Sequence, residues 1–320
     1  MISDSPNTPV NTSLHSASLL QRFGRQIQTQ WKNLVVAVPY FWLLLFFLVP
    51  FFIVMKISLA ESIIASPPFS SLISWTEDGA LQLSLLFDNY AYLWEDELYY
   101  KTYLNSIKVA FICTLICLLI GYPMAYGIVR STPTTRNILL ILVILPFWTS
   151  FLLRVYAWMG ILADQGTLNN FFIWLGIIDE PIRMLYTPFA VYLGIIYSYL
   201  PFMILPLYAN IEKLDMSLLE AASDLGAKPL VTFFTVTLPM TMPGVIAGSL
   251  LVFIPATGEY VIPDLLGGGN SLMIGKVLYS EFNNNHDWPV ASAVAVALLI
   301  LLVVPMMLYQ HMQSKATTQV

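Results

Sequence analysis

The chain has 320 residues, of which 58% are hydrophobic and only 10% are charged, and its mean hydropathy is +0.73. Soluble domains carry roughly 25% charged residues, so this composition excludes an ordinary soluble protein and predicts an integral membrane protein. The net charge of −5 is less informative than the positions of the charges along the chain.

The first 33 residues are polar and predict a tail outside the membrane. They contain no short apolar core followed by a small-residue cleavage site, so no cleaved signal peptide is predicted. The first apolar helix is therefore expected to act as its own uncleaved signal.

Six charge-poor windows between residues 34 and 310 are long enough to cross a membrane, which takes about 20 apolar residues. They show no strand-like alternation, so the class is an all-α membrane protein rather than a β-barrel. Tails at 1–33 and 311–320 flank this six-span domain. The predicted spans are Leu34–Met55, Val109–Val129, Asn137–Leu162, Met184–Ile211, Thr241–Pro263 and Trp288–Gln310.

Basic residues predict the orientation, because cytoplasmic loops carry the excess of Lys and Arg. The termini, together with the loops 130–137 and 210–240, hold eight basic residues, whereas the opposite loops hold only Lys101, Arg183 and Lys276. Both termini are therefore predicted to be cytoplasmic. The opposite side carries thirteen carboxylates, which indicates either ordinary loop solvation or a negative vestibule that concentrates a cation or docks a partner.

The cytoplasmic loop at about 212–239 interrupts the apolar pattern with a polar, structured segment. Ser217 and Glu220 have the spacing of a capping box, which predicts a helix beginning at Ser217. Gly226 stands where a helix ends in a left-handed residue, and Pro229 is suited to open a second short helix. Such an element either docks a soluble partner or rests on lipid headgroups. Its predicted apolar face consists of Leu218, Ala222 and Leu225, with Leu219 beside them.

This loop resembles the signature loop of permease subunits of binding-protein-dependent ABC importers. The shared pattern is E-A-A, three residues, Gly, nine residues, an aliphatic residue, one residue and L-P. The matching positions are Glu220, Ala221, Ala222, Gly226, Val236, Leu238 and Pro239. The resemblance implies a type I importer permease fold, in which Glu220–Ala222 belong to a coupling helix that docks on an ATPase subunit and Gly226 forms its turn.

Three further stretches, at 145–162, 255–268 and 283–296, are similar to the polyamine branch of this family, and most similar to permease subunits of putrescine uptake systems. This similarity implies a non-enzymatic subunit of the bacterial inner membrane that forms half of a translocation pore. Its implied partners are two ATPase subunits that bind ATP and Mg²⁺, a second homologous permease subunit and a periplasmic polyamine-binding protein.

Two charged residues, Arg154 and Glu259, fall within predicted spans, where a charge needs a partner or a water-filled cavity. One interpretation is that they lie at similar depth and neutralise each other. The other is that Glu259 lines the substrate path and binds an ammonium group, helped by aromatic rings that attract cations. The aromatic candidates near these charges are Tyr260, Trp148, Tyr156 and Trp158.

No nucleotide-binding motif is complete in the sequence. Gly275 and Lys276 resemble the end of a phosphate loop, but Val277 replaces the required Ser or Thr. The three histidines are scattered and predict no metal site, and nothing predicts a catalytic nucleophile or a nucleic-acid surface. The alternative function is an ion-gradient-driven secondary transporter or channel for organic cations, which would explain the membrane charges but not the loop motif.

Overall fold

The computed structural model describes residues 35–75, 81–269 and 271–317. These residues form helices, one small β-hairpin and connecting loops, and the chain divides into two units, Met1–Lys56 and Ile57–Val320. The predicted tail at 1–33 lies outside the described residues. The described helix at the other end continues to Thr317, beyond the predicted limit of the last span.

The first helix, α1, covers Val35–Ser58 and includes a π turn at Leu44–Leu48. Its 24 residues have a hydropathy of 2.4, and at 1.5 Å per residue they reach about 36 Å, enough to cross the hydrocarbon core. The first predicted span is therefore confirmed as a helix of suitable length and composition.

The segment after α1 forms a hairpin and a short helix. Strands β1 (Ile73–Trp75) and β2 (Leu81–Leu83) pair in antiparallel register, and α2 follows at Asp88–Glu95. The side-chain amide of Asn89 donates to the carbonyls of Ser58 and Ala60, both at 2.9 Å. These bonds hold the start of α2 against Ser58 and the residues that follow it.

Three long apolar helices form the centre of the second unit: α3 (Glu97–Arg130), α7 (Pro188–Ile211) and α9 (Pro229–Thr257). Small residues let them approach closely. A Cβ at Gly248 would lie 2.8 Å from the Met203 sulfur, and one at Gly244 would lie 2.8 Å from the Asn210 Cβ. The Gly244–Gly248 pair is thus a helix contact of the small-xxx-small type. Buried apolar side chains in this region include Cys117, Ile204, Leu207 and Val252.

The third predicted span, Asn137–Leu162, is not one continuous helix but a bent pair of helices. Helix α4 (Pro133–Ile144) ends in a 3₁₀ turn at Leu145–Trp148, and α5 (Phe151–Leu162) begins three residues later. The segments Pro133–Trp148 and Phe151–Trp174 meet at a bend of 92°. Pro146 has no N–H to continue the helix, and Thr149 and Ser150 adopt extended ψ angles of 152° and 138°. A short helix, α6 (Thr167–Trp174), follows and is fixed by the buried amide of Asn169.

The fifth predicted span also has different limits, since α9 begins at Pro229 and ends at Thr257. Two short helices follow, α10 (Val261–Leu266) and α11 (Ile274–Asn283), before α12 (Trp288–Thr317). Among the described residues, four helices are long and apolar enough to span a membrane, or five if the bent pair counts as one span. The count of six spans stays a prediction.

Candidate functional site

The helix of the polar loop, α8, covers Met216–Asp224 and begins differently from the prediction. Its N-cap is Asp215, whose carboxylate accepts a hydrogen bond from the Ser217 backbone N–H at 3.0 Å. The bond from the Ser217 N–H, followed by that from its side chain, lowers the pKa of the Asp215 carboxyl. Ser217 is therefore inside the first turn, and the predicted capping box with Glu220 is wrong, because an aspartate two residues earlier supplies an equally good cap.

The glycine turn at the end of α8 is confirmed. Gly226 has φ +80°, in the left-handed region that favours glycine. Its N–H donates to the Ser223 carbonyl at 2.9 Å, and the Ala227 N–H donates to the Ala222 carbonyl at 3.0 Å. This pair of bonds is the Schellman arrangement, which satisfies carbonyls that the helix end would otherwise leave unpaired.

The second helix begins at Pro229 as predicted, but it is not short. It continues through a π turn at Phe233–Thr237 into the membrane helix and ends at Thr257. Pro239 therefore lies inside a continuous helix. Since it lacks an N–H, it cannot make the α-helical hydrogen bond to the Thr235 carbonyl, at the point where the π turn occurs. The glycine turn consequently joins α8 directly to a rigid 29-residue helix.

The side chains of the loop divide into a packed side and an exposed side. Leu219 lines a cavity of about 470 Å³ together with Tyr122 and Tyr126 of α3 and with Phe233 of α9, and Ala222 is half-buried. Leu225 is 88% exposed and Leu230, across the glycine turn, is 73% exposed. Of the predicted apolar face, Leu218 and Leu225 are exposed, whereas Ala222 is half-buried.

An ion pair fixes the chain just before α8. The Arg136 guanidinium contacts the Glu212 carboxylate at 2.9 Å and also donates to the Val129 carbonyl at 2.7 Å. These contacts connect the end of α3, the start of α4 and the end of α7. The sequence analysis missed this pair because 76 residues separate its partners and no local pattern links them.

Glu259 lies in the turn between α9 and α10 and is 8% exposed. One carboxylate oxygen accepts from the backbone N–H groups of Val261 and Ile262, at 3.0 and 3.4 Å, and so caps α10. The other oxygen accepts from the Tyr199 hydroxyl at 2.5 Å. A carboxylate offers about four acceptor positions, so these three bonds leave one for a further donor.

Arg154 lies on α5 and is not paired with Glu259. Its guanidinium stands over the rings of Phe147 and Phe151, at 5.3 and 5.7 Å, and its buried Nε has no hydrogen-bond partner among the described residues. Sequence position gave similar depths for the two charges but not the direction in which each side chain points. The proposed neutralising pair is therefore wrong.

The aromatic candidates are not gathered around one point. Trp148 and Tyr156 are 77% and 55% exposed, and Trp158 packs edge-on against Tyr197 with ring centroids 5.3 Å apart. Tyr260 follows Glu259 directly and stacks on Tyr279 with centroids 4.5 Å apart. Of the predicted set, the structure places only Tyr260 beside Glu259. Among the described residues, no group of three or more His, Cys, Asp and Glu could hold a metal ion.

The bent apolar helices and the capped polar helix joined to one of them define a multi-span membrane protein with a structured loop between two apolar helices. Residues 117–318 match the family described as "Binding-protein-dependent transport system inner membrane component". A relative from Salmonella typhimurium (strain SL1344), named "Spermidine/putrescine transport system permease protein PotB", is 41% identical over 283 residues, covering 88% of this chain and 93% of that protein. The chain therefore belongs to the family of binding-protein-dependent transport system inner membrane components.

Solved structures agree on the fold. A chain from the "Crystal structure of a bacterial ABC transporter involved in the import of the acidic polysaccharide alginate" superposes with a TM-score of 0.67 at 17% identity, covering 92% of this chain and 99% of that one. The alginate transporter in complex with its alginate pentasaccharide-bound periplasmic protein gives 0.64 at 19% identity, covering 92% and 98%. The predicted importer-permease fold is thus confirmed, and this chain is an inner-membrane permease.

Proposed function

We propose that this chain is the transmembrane permease subunit of an ATP-driven, binding-protein-dependent importer of polyamines of the putrescine and spermidine class. It forms half of the pore beside a second homologous permease. Two ATPase subunits bind ATP and Mg²⁺ at the cytoplasmic face, where both termini lie, and a periplasmic protein delivers the substrate. The substrate class follows from the name of the Salmonella relative, and the solved alginate complex supports a periplasmic partner.

The observation that carries this proposal is the loop helix α8 and its glycine turn. The turn presents Leu225 and Leu230 to solvent at 88% and 73% exposure, although fully burying a leucine stabilises by about 1.5–3 kcal/mol. Leu219, on the same element, lines a cavity with Tyr122 and Phe233, and Ala222 is half-buried. A rigid, partly apolar surface of this kind suits a protein partner, and in the proposal Ser217, Glu220 and Ala221 lie on the docking helix.

The fusion of this element to α9 supplies the mechanical link. Closure of the ATPase pair on ATP displaces α8, and the continuous helix from Pro229 to Thr257 carries the displacement over about 43 Å. Transport requires that the ATPase contact differ between the two pore states, because a ligand shifts an equilibrium only by its differential affinity. ATP hydrolysis then resets the spans.

The substrate path is proposed to pass Glu259 and Tyr260, and elsewhere along its length Arg154, Trp148 and Tyr156. Glu259 retains one acceptor position after its three internal bonds. A substrate ammonium can use that position without displacing the cap of α10. The face of Tyr260 adds a cation–π contact of roughly 0.5–2 kcal/mol.

The decisive experiment is uptake of labelled putrescine by the complete complex in proteoliposomes, with ATP inside or absent and with spermidine as competitor. The proposal expects uptake only with ATP, the ATPase subunits and the periplasmic protein. Transport by this chain alone, driven by an ion gradient without ATP, would overturn the importer function and favour the secondary-transporter alternative. ATP-dependent uptake that neither polyamine inhibits would overturn the substrate class.

A further inference from the structure

Lys276, near the turn that contains Glu259, makes contacts that a free alkylammonium ion could also make. The Lys276 ammonium lies 3.1 Å from the Asp264 carboxylate and donates to the Gly268 carbonyl at 3.3 Å. A lysine side chain is an ammonium on a flexible four-carbon stem, which is chemically one end of a polyamine. We call Asp264, the Gly268 carbonyl and the Lys276 ammonium between them the ammonium cradle.

The carbonyl of the cradle is held in place by close packing. Gly268 has φ +64°, and a Cβ at this position would lie 3.1 Å from the Tyr186 Cβ. The Tyr186 N–H donates to the Leu266 carbonyl at 2.9 Å. At Gly267, an added Cβ would lie 2.5 Å from the Ser271 Cβ. The packing at Gly267 and Gly268 therefore holds the Gly268 carbonyl as an acceptor for a cation.

The cradle adjoins the turn that holds Glu259. Gly275, directly before Lys276, packs so closely on that turn that a Cβ there would lie 2.2 Å from the Gly258 carbonyl oxygen and 2.8 Å from the Glu259 carbonyl oxygen. The stacked rings of Tyr260 and Tyr279 join the same two elements. A cation leaving the cradle is thus close to the proposed substrate path.

Exposure differs between the two charged groups of the cradle. The Asp264 side chain is 46% exposed, whereas the Lys276 side chain is 21% exposed. An incoming ammonium can therefore approach the carboxylate from solution while the lysine is still in place. The buried Ser271 hydroxyl, in the same loop, has no hydrogen-bond partner among the described residues.

We propose that the cradle is a polyamine-binding station and that Lys276 is a tethered competitor, which a substrate ammonium displaces from Asp264. This inference rests on the proposed polyamine import. A tethered group competes at a high effective concentration. Lys276 therefore lowers the affinity of the cradle for polyamine, which allows a bound polyamine to dissociate and continue along the path. Neighbouring charged or titratable groups on the elements packed around the cradle include Glu259, Tyr260, Tyr279 and Tyr186.

The test measures equilibrium binding of radiolabelled putrescine to the complete complex in nanodiscs, without the periplasmic protein. Lys276→Met removes the competitor and keeps the apolar stem, so we expect binding to tighten by roughly two- to fivefold, the range for a partly exposed ion pair. Asp264→Asn should weaken binding, and Lys276→Met added to Asp264→Asn should give no gain. Lys276→Arg should retain wild-type affinity.

Lys101→Met is the matched control, because Lys101 pairs with Glu97 on an exposed helix surface. This substitution should leave the affinity for putrescine unchanged.

The cradle proposal is overturned if the Lys276→Met complex assembles but binds putrescine no more tightly than wild type. The Lys276–Asp264 contact would then be a structural ion pair only. If that variant does not assemble, Asp264→Asn decides the matter, since unchanged putrescine binding would overturn the cradle as well. The two proposals fail separately. Normal ATP-dependent polyamine uptake without these binding differences removes the cradle alone, whereas a wild-type complex that imports no polyamine removes the proposed function and the cradle with it.

Discussion

Substitutions at Gly226 test whether the geometry of the loop couples ATP hydrolysis to transport. The residue has φ +80° and a Cβ there would meet no heavy atom within 4 Å. Alanine therefore introduces no clash and only backbone strain, which costs about 1–2 kcal/mol in the left-handed region. That cost lowers the ratio of the native turn to rearranged turns by roughly 5- to 30-fold.

We expect the loss to follow the tolerance of each side chain for a positive φ. Asparagine, which visits this region more readily, should be mildest, alanine intermediate, and β-branched valine most severe. Gly127→Ala is the matched control, because a Cβ at Gly127 also meets nothing within 4 Å but the residue lies within α3 without a positive φ.

The assay is putrescine uptake and ATP hydrolysis measured on the same proteoliposomes, expressed as substrate imported per ATP. The Gly226 series should lower this ratio in the order given, while the amount of assembled complex stays constant. A valine variant that assembles and imports as much substrate per ATP as wild type would refute the reasoning, because the left-handed turn would then be unnecessary for coupling.

Three further substitutions probe the neighbouring features. Arg136→Glu and Glu212→Arg should each lower uptake per ATP, because each replaces the ion pair at 2.9 Å with two like charges. The double exchange restores opposite charges and should recover most of the lost uptake. A double variant no better than either single variant would show that the pair does not hold the loop. Leu225→Asp should reduce co-purification of the ATPase subunits about tenfold, since in the proposal it places a charge in a buried contact. Ile64→Asp, at a fully exposed site outside the loop, should not, and equal effects of the two variants would exclude Leu225 from the docking surface. Glu259→Gln should cut polyamine uptake by about fivefold or more while the complex still assembles. The amide oxygen can still cap α10, but it carries no charge to attract an ammonium group. Normal uptake by this variant would remove Glu259 from the substrate path.

The parts of the loop that the sequence predicted are those governed by local chemistry. Gly226 and Pro229 were identified because a left-handed helix end and a first helical position each favour one residue type. The cap was wrong because Asp215 and Ser217 are both good capping residues. Which one begins α8 depends on where α7 ends, and this boundary is set by packing rather than by the loop.

Features that depend on direction in space could not be predicted from the sequence. An apolar window has the same hydropathy whether it is straight or bent, so the 92° turn at Thr149 and Ser150 gave no signal beyond Pro146. Similar depth suggested a pair between Arg154 and Glu259, but depth does not say toward which neighbour a side chain points. Nothing local linked Asp264 to Lys276, because the loop between them has no periodic pattern.

The closeness of α7 and α9 decides how large the moving body is. At Gly248 an added Cβ would lie 3.1 Å from the Met203 backbone oxygen as well as 2.8 Å from its sulfur, so the two backbones nearly touch. Neither helix can slide alone without opening a gap or a clash in a tightly filled interior. In the proposed transport cycle, the two helices would therefore move together as one body, and the work of each cycle would go into displacing both of them rather than bending one.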